Sequence, residues 1–350
     1  MRRSLSLAAL LFAGALTLSA CTPPEQSGSG GANATGAAAN GSGSSETITL
    51  GMMPKQKGID YFNACEQGAQ EAARDLGDVN LEYDGPVRDE SELQSQKLDT
   101  WITRNLDAVA VACNDPNQIS TSLARARDKG MTAITWDADA NPEQSKRQFF
   151  VNQVDSLALS HALVDQMAEQ AGEDAQVAVV SSSPTAPNQS AWLKEMETYM
   201  KSKYPQMKVV DTKYAGENQV KSEEEAGNLL KAYPELDGIW GMTSVAFPGA
   251  ASAVKKAGKS GQVAVIGLGT PKAMSGFVKD GVVKTVTLWN PVDLGYLTVH
   301  VARAVAKGEL KPGATSFTAG RLGEVKVDGD MVLLGKPMVF DAKTIDDYQF

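Results

Sequence analysis

Histidine occurs only twice in 350 residues, at His161 and His300. Both fall in stretches with helical spacing and neither has ligand-like neighbours, so no metal centre is expected. The chain has no His-Glu-x-x-His, no Gly-x-Ser-x-Gly and no Walker motif. Gly267-Leu268-Gly269 is only a fragment of a dinucleotide fingerprint. An enzyme is therefore disfavoured and no cofactor is expected. Positive charge is also scarce: 33 Lys and Arg against 42 Asp and Glu give a net charge of −9, with the signs mixed along the chain. That argues against nucleic acid as a partner. After Glu46 no apolar run is long enough to span a bilayer.

The N-terminus carries what the rest lacks. Met1-Arg2-Arg3 is followed by an apolar run from Leu5 to Leu18 and then by Leu18-Ser19-Ala20-Cys21. This order is similar to a bacterial lipoprotein signal, in which small residues precede a cysteine that becomes lipidated. The expectation is a signal peptide over 1–20 and lipidation at Cys21, with export and membrane attachment through the lipid alone. Residues 21–45 are rich in Gly, Ser, Ala, Asn and Thr and almost free of large apolar side chains. Such a segment reads as a flexible tether, reaching roughly 25–30 Å as a coil.

From Glu46 onward, apolar segments alternate between strand and helix patterns. Thr47–Met53, Leu81–Tyr83, Ala108–Ala112 and Thr132–Trp136 read as strands, with helices over Phe62–Leu76, Leu93–Asn105 and Asn117–Lys129. Ala108 to Ala112 is uninterrupted Ala and Val, as in a strand covered on both faces. The pattern restarts at Phe149 and repeats to Lys307, and short β pieces follow from Gly323 to Phe340. Alternation of this kind predicts an α/β fold of two doubly wound parallel-sheet lobes. Ligands in such sheets bind beyond the carboxyl ends of the strands. That rule selects Lys55, Asn114-Asp115, Asp137, Ser181 to Ser183, Met242 to Ser244, Gly267 to Gly269 and Trp289-Asn290. With Cys21 lipidated, Cys65 and Cys113 remain as an even pair in an oxidising compartment. A disulfide and two buried thiols are both open readings.

At these strand ends the chain resembles the type I periplasmic sugar-binding proteins. It is most like the rhamnose-binding and autoinducer-2-binding lipoproteins of ABC importers. The resemblance rests on Pro54-Lys55 with Tyr61-Phe62, Gly68 to Ala72, Tyr83 to Pro86 and Thr135 to Asp139. Asn188-Gln189 with Trp192, Trp289 to Tyr296 and Ala319 to Arg321 continue it. It implies two lobes, 46–137 with 292–315 and 138–291 with 316–350. The hinge crossings would lie near Asp137 to Asn141, Leu288 to Val292 and Leu310 to Leu322. It implies a monomer that closes on a sugar and is recognised by an ABC permease. The implied ligand set is Lys55, Phe62, Asp137, Asp139, Asn188, Gln189, Trp192, Met242, Ser244, Trp289 and Asn290. Carboxylates and amides would serve sugar hydroxyls and aromatics would cover the ring's C–H faces. Autoinducer-2 receptors carry an Asp where this chain has Asn188, and a Pro-x-Ala segment where it has Met242-Thr243-Ser244. These departures favour a neutral monosaccharide such as rhamnose, with autoinducer-2 as the alternative.

Overall fold

The computed structural model describes residues 46–350; the signal sequence, Cys21 and the tether lie outside the described residues. The first lobe is built on an eight-stranded sheet. Its parallel part comprises β1 (Ile48–Met53), β2 (Val79–Tyr83), β3 (Ala108–Val111), β4 (Thr132–Trp136) and β5 (Phe150–Asn152). Helices α1 (Asp60–Leu76), α2 (Ser91–Thr103) and α3 (Pro116–Asp128) connect the first four strands, and the one-turn α4 (Pro142–Ser145) precedes β5. The strand order begins β2-β1-β3-β4-β5.

The run from Ala108 shows why this sheet is buried on both sides. Ala108, Ala110 and Ala112 pack with Leu50, Met52, Cys65 and Ala69 on the α1 side. Val109, Val111 and Cys113 pack with Leu98, Trp101, Ile119 and Leu123 on the α2–α3 side. Successive side chains point to opposite faces, so the sheet itself separates Cys65 from Cys113. Both are buried free thiols, and the disulfide reading is corrected on that ground. Gly51 in β1 marks one close approach: a Cβ there would sit 2.7 Å from the Trp101 indole.

The second lobe holds a four-stranded parallel sheet ordered β7-β6-β8-β9. Its strands are β6 (Gln176–Ser181), β7 (Lys208–Tyr214), β8 (Gly238–Gly241) and β9 (Ala264–Gly267). They are interleaved with α5 (Ser156–Ala171), α6 (Pro187–Lys203), α7 (Gln219–Ala232), α8 (Ala246–Lys256) and α9 (Pro271–Lys279). Next to it, β10 (Val286–Leu288) pairs antiparallel with β14 (Met338–Phe340).

The long α10 (Pro291–Ala306) returns to the first lobe and lies against α1. The two helices touch backbone to backbone through a pair of glycines. A Cβ on Gly68 would fall 1.7 Å from the Val292 carbonyl oxygen, and one on Gly295 would fall 1.8 Å from that of Cys65. The tail then forms β11 (Ser316–Thr318), β12 (Glu324–Asp328) and β13 (Met331–Leu333). These join the first lobe's sheet, with Met331 opposite Phe150 and β13 parallel to β5.

The lobe boundaries therefore differ from those expected. Residues 138–152 and 316–333 belong to the first lobe, because β5 pairs with β4 and β13. The chain crosses between lobes after Asn152, at Trp289-Asn290, and between β13 and β14. The expected crossings near Asp137 and near Leu310 to Leu322 move to Gln153–Asp155 and Leu334–Pro337. The β5 segment is too short to show its partner from sequence pattern.

Candidate functional site

The carboxyl ends of both sheets face one another across an interlobe cavity. Its lining comprises Lys55, Tyr61, Phe62 and Asp137 from the first lobe. Asn188, Gln189, Trp192, Glu217, Met242, Thr243, Ser244, Leu268 and Leu288 come from the second, and Trp289 from the crossing.

Lys55 follows β1 in a loop held from below. Gln94 donates to the carbonyls of Pro54 (3.2 Å) and Ala112 (2.7 Å), and Asn114 donates to that of Lys55 (3.1 Å). The buried Lys55 ammonium donates across the cleft to Asn188 Oδ1 at 3.1 Å. Asp137 follows β4 with φ +61°, a left-handed conformation that is uncommon for a residue with a side chain. Such geometry persists where surrounding contacts impose it, often at functional sites; here the Asp137 N–H is held by the Val151 carbonyl at 3.1 Å. Its carboxylate accepts from Tyr61 Oη at 2.6 Å. Burial raises the Asp137 pKa, while Lys55 and the Tyr61 hydroxyl pull it down. Burial, then the Asp137 charge, pushes the Tyr61 phenol well above its ordinary value, so Tyr61 is a donor at neutral pH.

Asn188 and Gln189 open α6, but neither caps it: the capping position is Ala186 and Pro187 begins the helix. Gln189 Oε1 accepts from Ser181 Oγ (2.5 Å), Ser182 N (2.9 Å) and Ser182 Oγ (2.9 Å) at the end of β6. Its carbonyl is thus consumed by the protein, and its amide donates toward the Glu217 carboxyl at the cavity wall. The aromatic wall is a linked group. Trp289 Nε1 donates to Tyr61 Oη at 2.9 Å, and the Tyr61–Trp289, Tyr61–Phe62 and Trp192–Trp289 ring centres lie 5.9, 5.0 and 6.0 Å apart. These are edge-on or tilted contacts typical of a packed aromatic cluster.

Nine of the eleven expected ligand residues line the cavity: Lys55, Phe62, Asp137, Asn188, Gln189, Trp192, Met242, Ser244 and Trp289. Two do not. Asp139 is taken by Arg147, whose Nε and Nη2 donate to it at 2.8 and 2.6 Å, and by the Thr135 hydroxyl. Arg147 also pairs with Asp330, so this cluster fastens the tail strands to the first lobe. Asn290 caps α10, its Oδ1 accepting from Val292 N (3.0 Å) and Asp293 N (3.3 Å). A hydrophilic residue at a strand end has more than one use, and capping satisfies the Asn290 side chain.

Tyr61 and Glu217 were missed. Tyr61 is adjacent to Phe62 in the first turn of α1, where only one of the pair was assigned. Glu217 lies three residues beyond β7, so extending the strand-end rule by one loop would have found it. Its backbone N–H donates to Asp89 Oδ2 at 2.9 Å, a second contact across the cleft. Its carboxyl is buried, and that burial pushes its pKa up to about 7, against the pull of Lys55 and with the support of Asp89 and Asp137.

A family model for the periplasmic binding protein domain matches residues 50–310. The chain belongs to the periplasmic binding protein family. It has the type I fold of that family and is a solute-binding protein, not an enzyme. A sugar ABC transporter structure from Actinomyces odontolyticus is 32% identical, with 87% of this chain and 98% of that one covered and a TM-score of 0.68. An ABC transporter solute-binding protein from Clostridium phytofermentas, solved with bound L-rhamnose, is 27% identical. It covers 86% of this chain and 98% of its own, with a TM-score of 0.82. The ribose import binding protein of Bacillus subtilis is 22% identical over 309 residues, 88% of this chain and 95% of that protein.

Proposed function

We propose that this protein is the substrate-binding lipoprotein of an ABC sugar importer and that its cleft closes on a neutral monosaccharide, rhamnose or a similar aldose. The observation that carries the reading is the composition of the interlobe cavity described above. Lys55, Asp137, Asn188 and Gln189 converge there with Tyr61, Phe62, Trp192 and Trp289. A sugar presents hydroxyls around its rim and C–H groups on its faces, and this set answers both. The likeness to a rhamnose-bound receptor supports the choice of sugar.

The mechanism follows from the crossings. Ligand bound to one wall recruits the other, and the Lys55–Asn188 and Asp89–Glu217 contacts form as the lobes meet. Three short crossings at Gln153–Asp155, Trp289-Asn290 and Leu334–Pro337 act as the hinge. The sugar favours the closed form to the extent that it binds that form better. An ABC permease then recognises the closed receptor. Cys21 carries the lipid that keeps the monomeric receptor at the membrane.

Autoinducer-2 is the second reading, because Lys55, Asp137 and Gln189 all line the cavity. A thermal-shift screen of the purified chain against rhamnose, other monosaccharides, pentitols and autoinducer-2 tests both. Ligand that binds only folded protein raises the melting temperature. A shift with rhamnose or a related aldose is expected; a shift with autoinducer-2 alone would replace the sugar reading by the signal reading.

A further inference from the structure

The charges enclosed by the cleft do not balance. Lys55 is the one cation in the cavity lining, and Asp137 and Glu217 are both carboxyl groups. The charged groups that face Glu217 are Lys55 from the loop after β1, Asp89 from the loop after β2 and Asp137 after β4; Gln189 of α6 is its hydrogen-bonding neighbour. Lys55 already donates to Asn188 and stands beside Asp137. The Tyr61 hydroxyl is committed to Asp137 and not to Glu217. Asp89 is tied to the Glu217 backbone N–H, which brings a third carboxylate to the same place. Glu217 also borders a side chamber lined by Lys55, Asp89, Asn114, Ser182 and Ser183, so polar groups flank it on two sides. A second buried carboxylate with no cation of its own is costly to ionise and takes a proton instead.

We propose that Glu217 is a specificity-determining residue that enters the closed cleft as a neutral acid and donates a hydrogen bond to a ligand oxygen, so that an uncharged sugar and one proton are bound together. This rests on the sugar reading above and deepens it. The proton comes from the buffer and stays on the Glu217 carboxyl, while the sugar is chemically unchanged. A ligand bearing its own ammonium group would make that proton unnecessary and would leave Glu217 ionised.

The sign of the pH dependence follows. The carboxyl is raised from an ordinary 4.5 to about 7 in the closed cleft. Between those values the closed form holds more protons than an exposed carboxyl would, so affinity falls as pH rises through that window. Above about 7 it levels off, and a fall of about tenfold is expected from pH 6 to pH 8.

Calorimetry of the full chain with L-rhamnose and D-ribose at pH 6, in buffers of different ionisation enthalpy, reads the proton directly. Uptake close to one proton per sugar is expected. The Glu217→Gln variant should still bind, take up almost none and lose the pH dependence. No buffer dependence in the parent chain, or uptake that persists in Glu217→Gln, would overturn the proposal; so would one proton taken up with D-glucosamine as with the neutral sugars. A chain that gives no heat with any sugar refutes the sugar reading alone. In that case carboxyl NMR of the autoinducer-2-saturated chain decides: a resonance missing from Glu217→Gln should titrate near pH 7 in the closed complex, and titration near pH 4.5 there would overturn the role of Glu217.

Discussion

The first lobe meets the cleft with an ammonium and a carboxylate, each fixed from behind, whereas the second meets it mainly with amides, a short Met-Thr-Ser segment and apolar side chains. Lys55 and Asp137 sit one or two residues past their strands and are braced by Asn114, Gln94, Tyr61 and the Val151 carbonyl. Asn188 and Gln189 come from a helix start and Glu217 from the loop after β7, while Met242 to Ser244 directly follow β8. Charge placed on a rigid sheet edge gives strength, because charge-assisted hydrogen bonds exceed neutral ones. Amides and shape on the opposite wall discriminate among sugars, since each is satisfied by only some arrangements of hydroxyls.

The largest effect should come from the first wall. Asp137→Ala removes the charged acceptor and leaves Lys55 and Tyr61 without it. Affinity for the sugar is expected to fall about 100-fold or more, with the melting temperature of the unliganded chain showing that the fold persists. Unchanged calorimetric affinity would take Asp137 out of the site and erase the contrast between the walls. A smaller loss is expected at the crossing. Trp289→Ala deletes a ring face and the donor to Tyr61, lowering affinity by about tenfold; a loss as great as that of Asp137→Ala would mean that aromatic cover, not charge, dominates. The smallest effect on binding belongs to Asp139→Asn. Its carboxylate is engaged by Arg147, so affinity should stay within about twofold while the melting temperature drops, a split that equilibrium binding and thermal unfolding measure separately. A large affinity loss there would return Asp139 to the ligand.

The same contrast explains what the sequence disclosed. The alternation of strands and helices was legible because buried parallel strands read as continuous apolar runs, as in Ala108 to Ala112. Lys55 and Asp137 were legible because the strand-end rule points one or two residues past a strand. Asn290 obeyed that rule and Asp139 followed from the family resemblance, yet the α10 cap and Arg147 take them, since sequence gives position but not partner. Glu217 escaped because its loop extends past an exposed edge strand with a weak pattern. Whether Cys65 and Cys113 were a disulfide or two buried thiols stayed open in the sequence, because parity carries no information about which face of a sheet each occupies; the structure shows two buried thiols.

The tail strands carry a consequence for how the chain is made. Strands β11, β12 and β13, three of the eight in the first sheet, come from residues 316–333, and Met331 lies opposite Phe150. The lobe that begins at Ile48 therefore completes its sheet only when nearly all of the chain has been synthesised. Until then the outer edge of β5 offers unpaired backbone groups to any other strand. Contacts so distant in sequence also slow folding. Nascent chains should stay open and edge-exposed through most of their synthesis, and a chain halted before Ser316 should aggregate instead of yielding a separately folded first lobe.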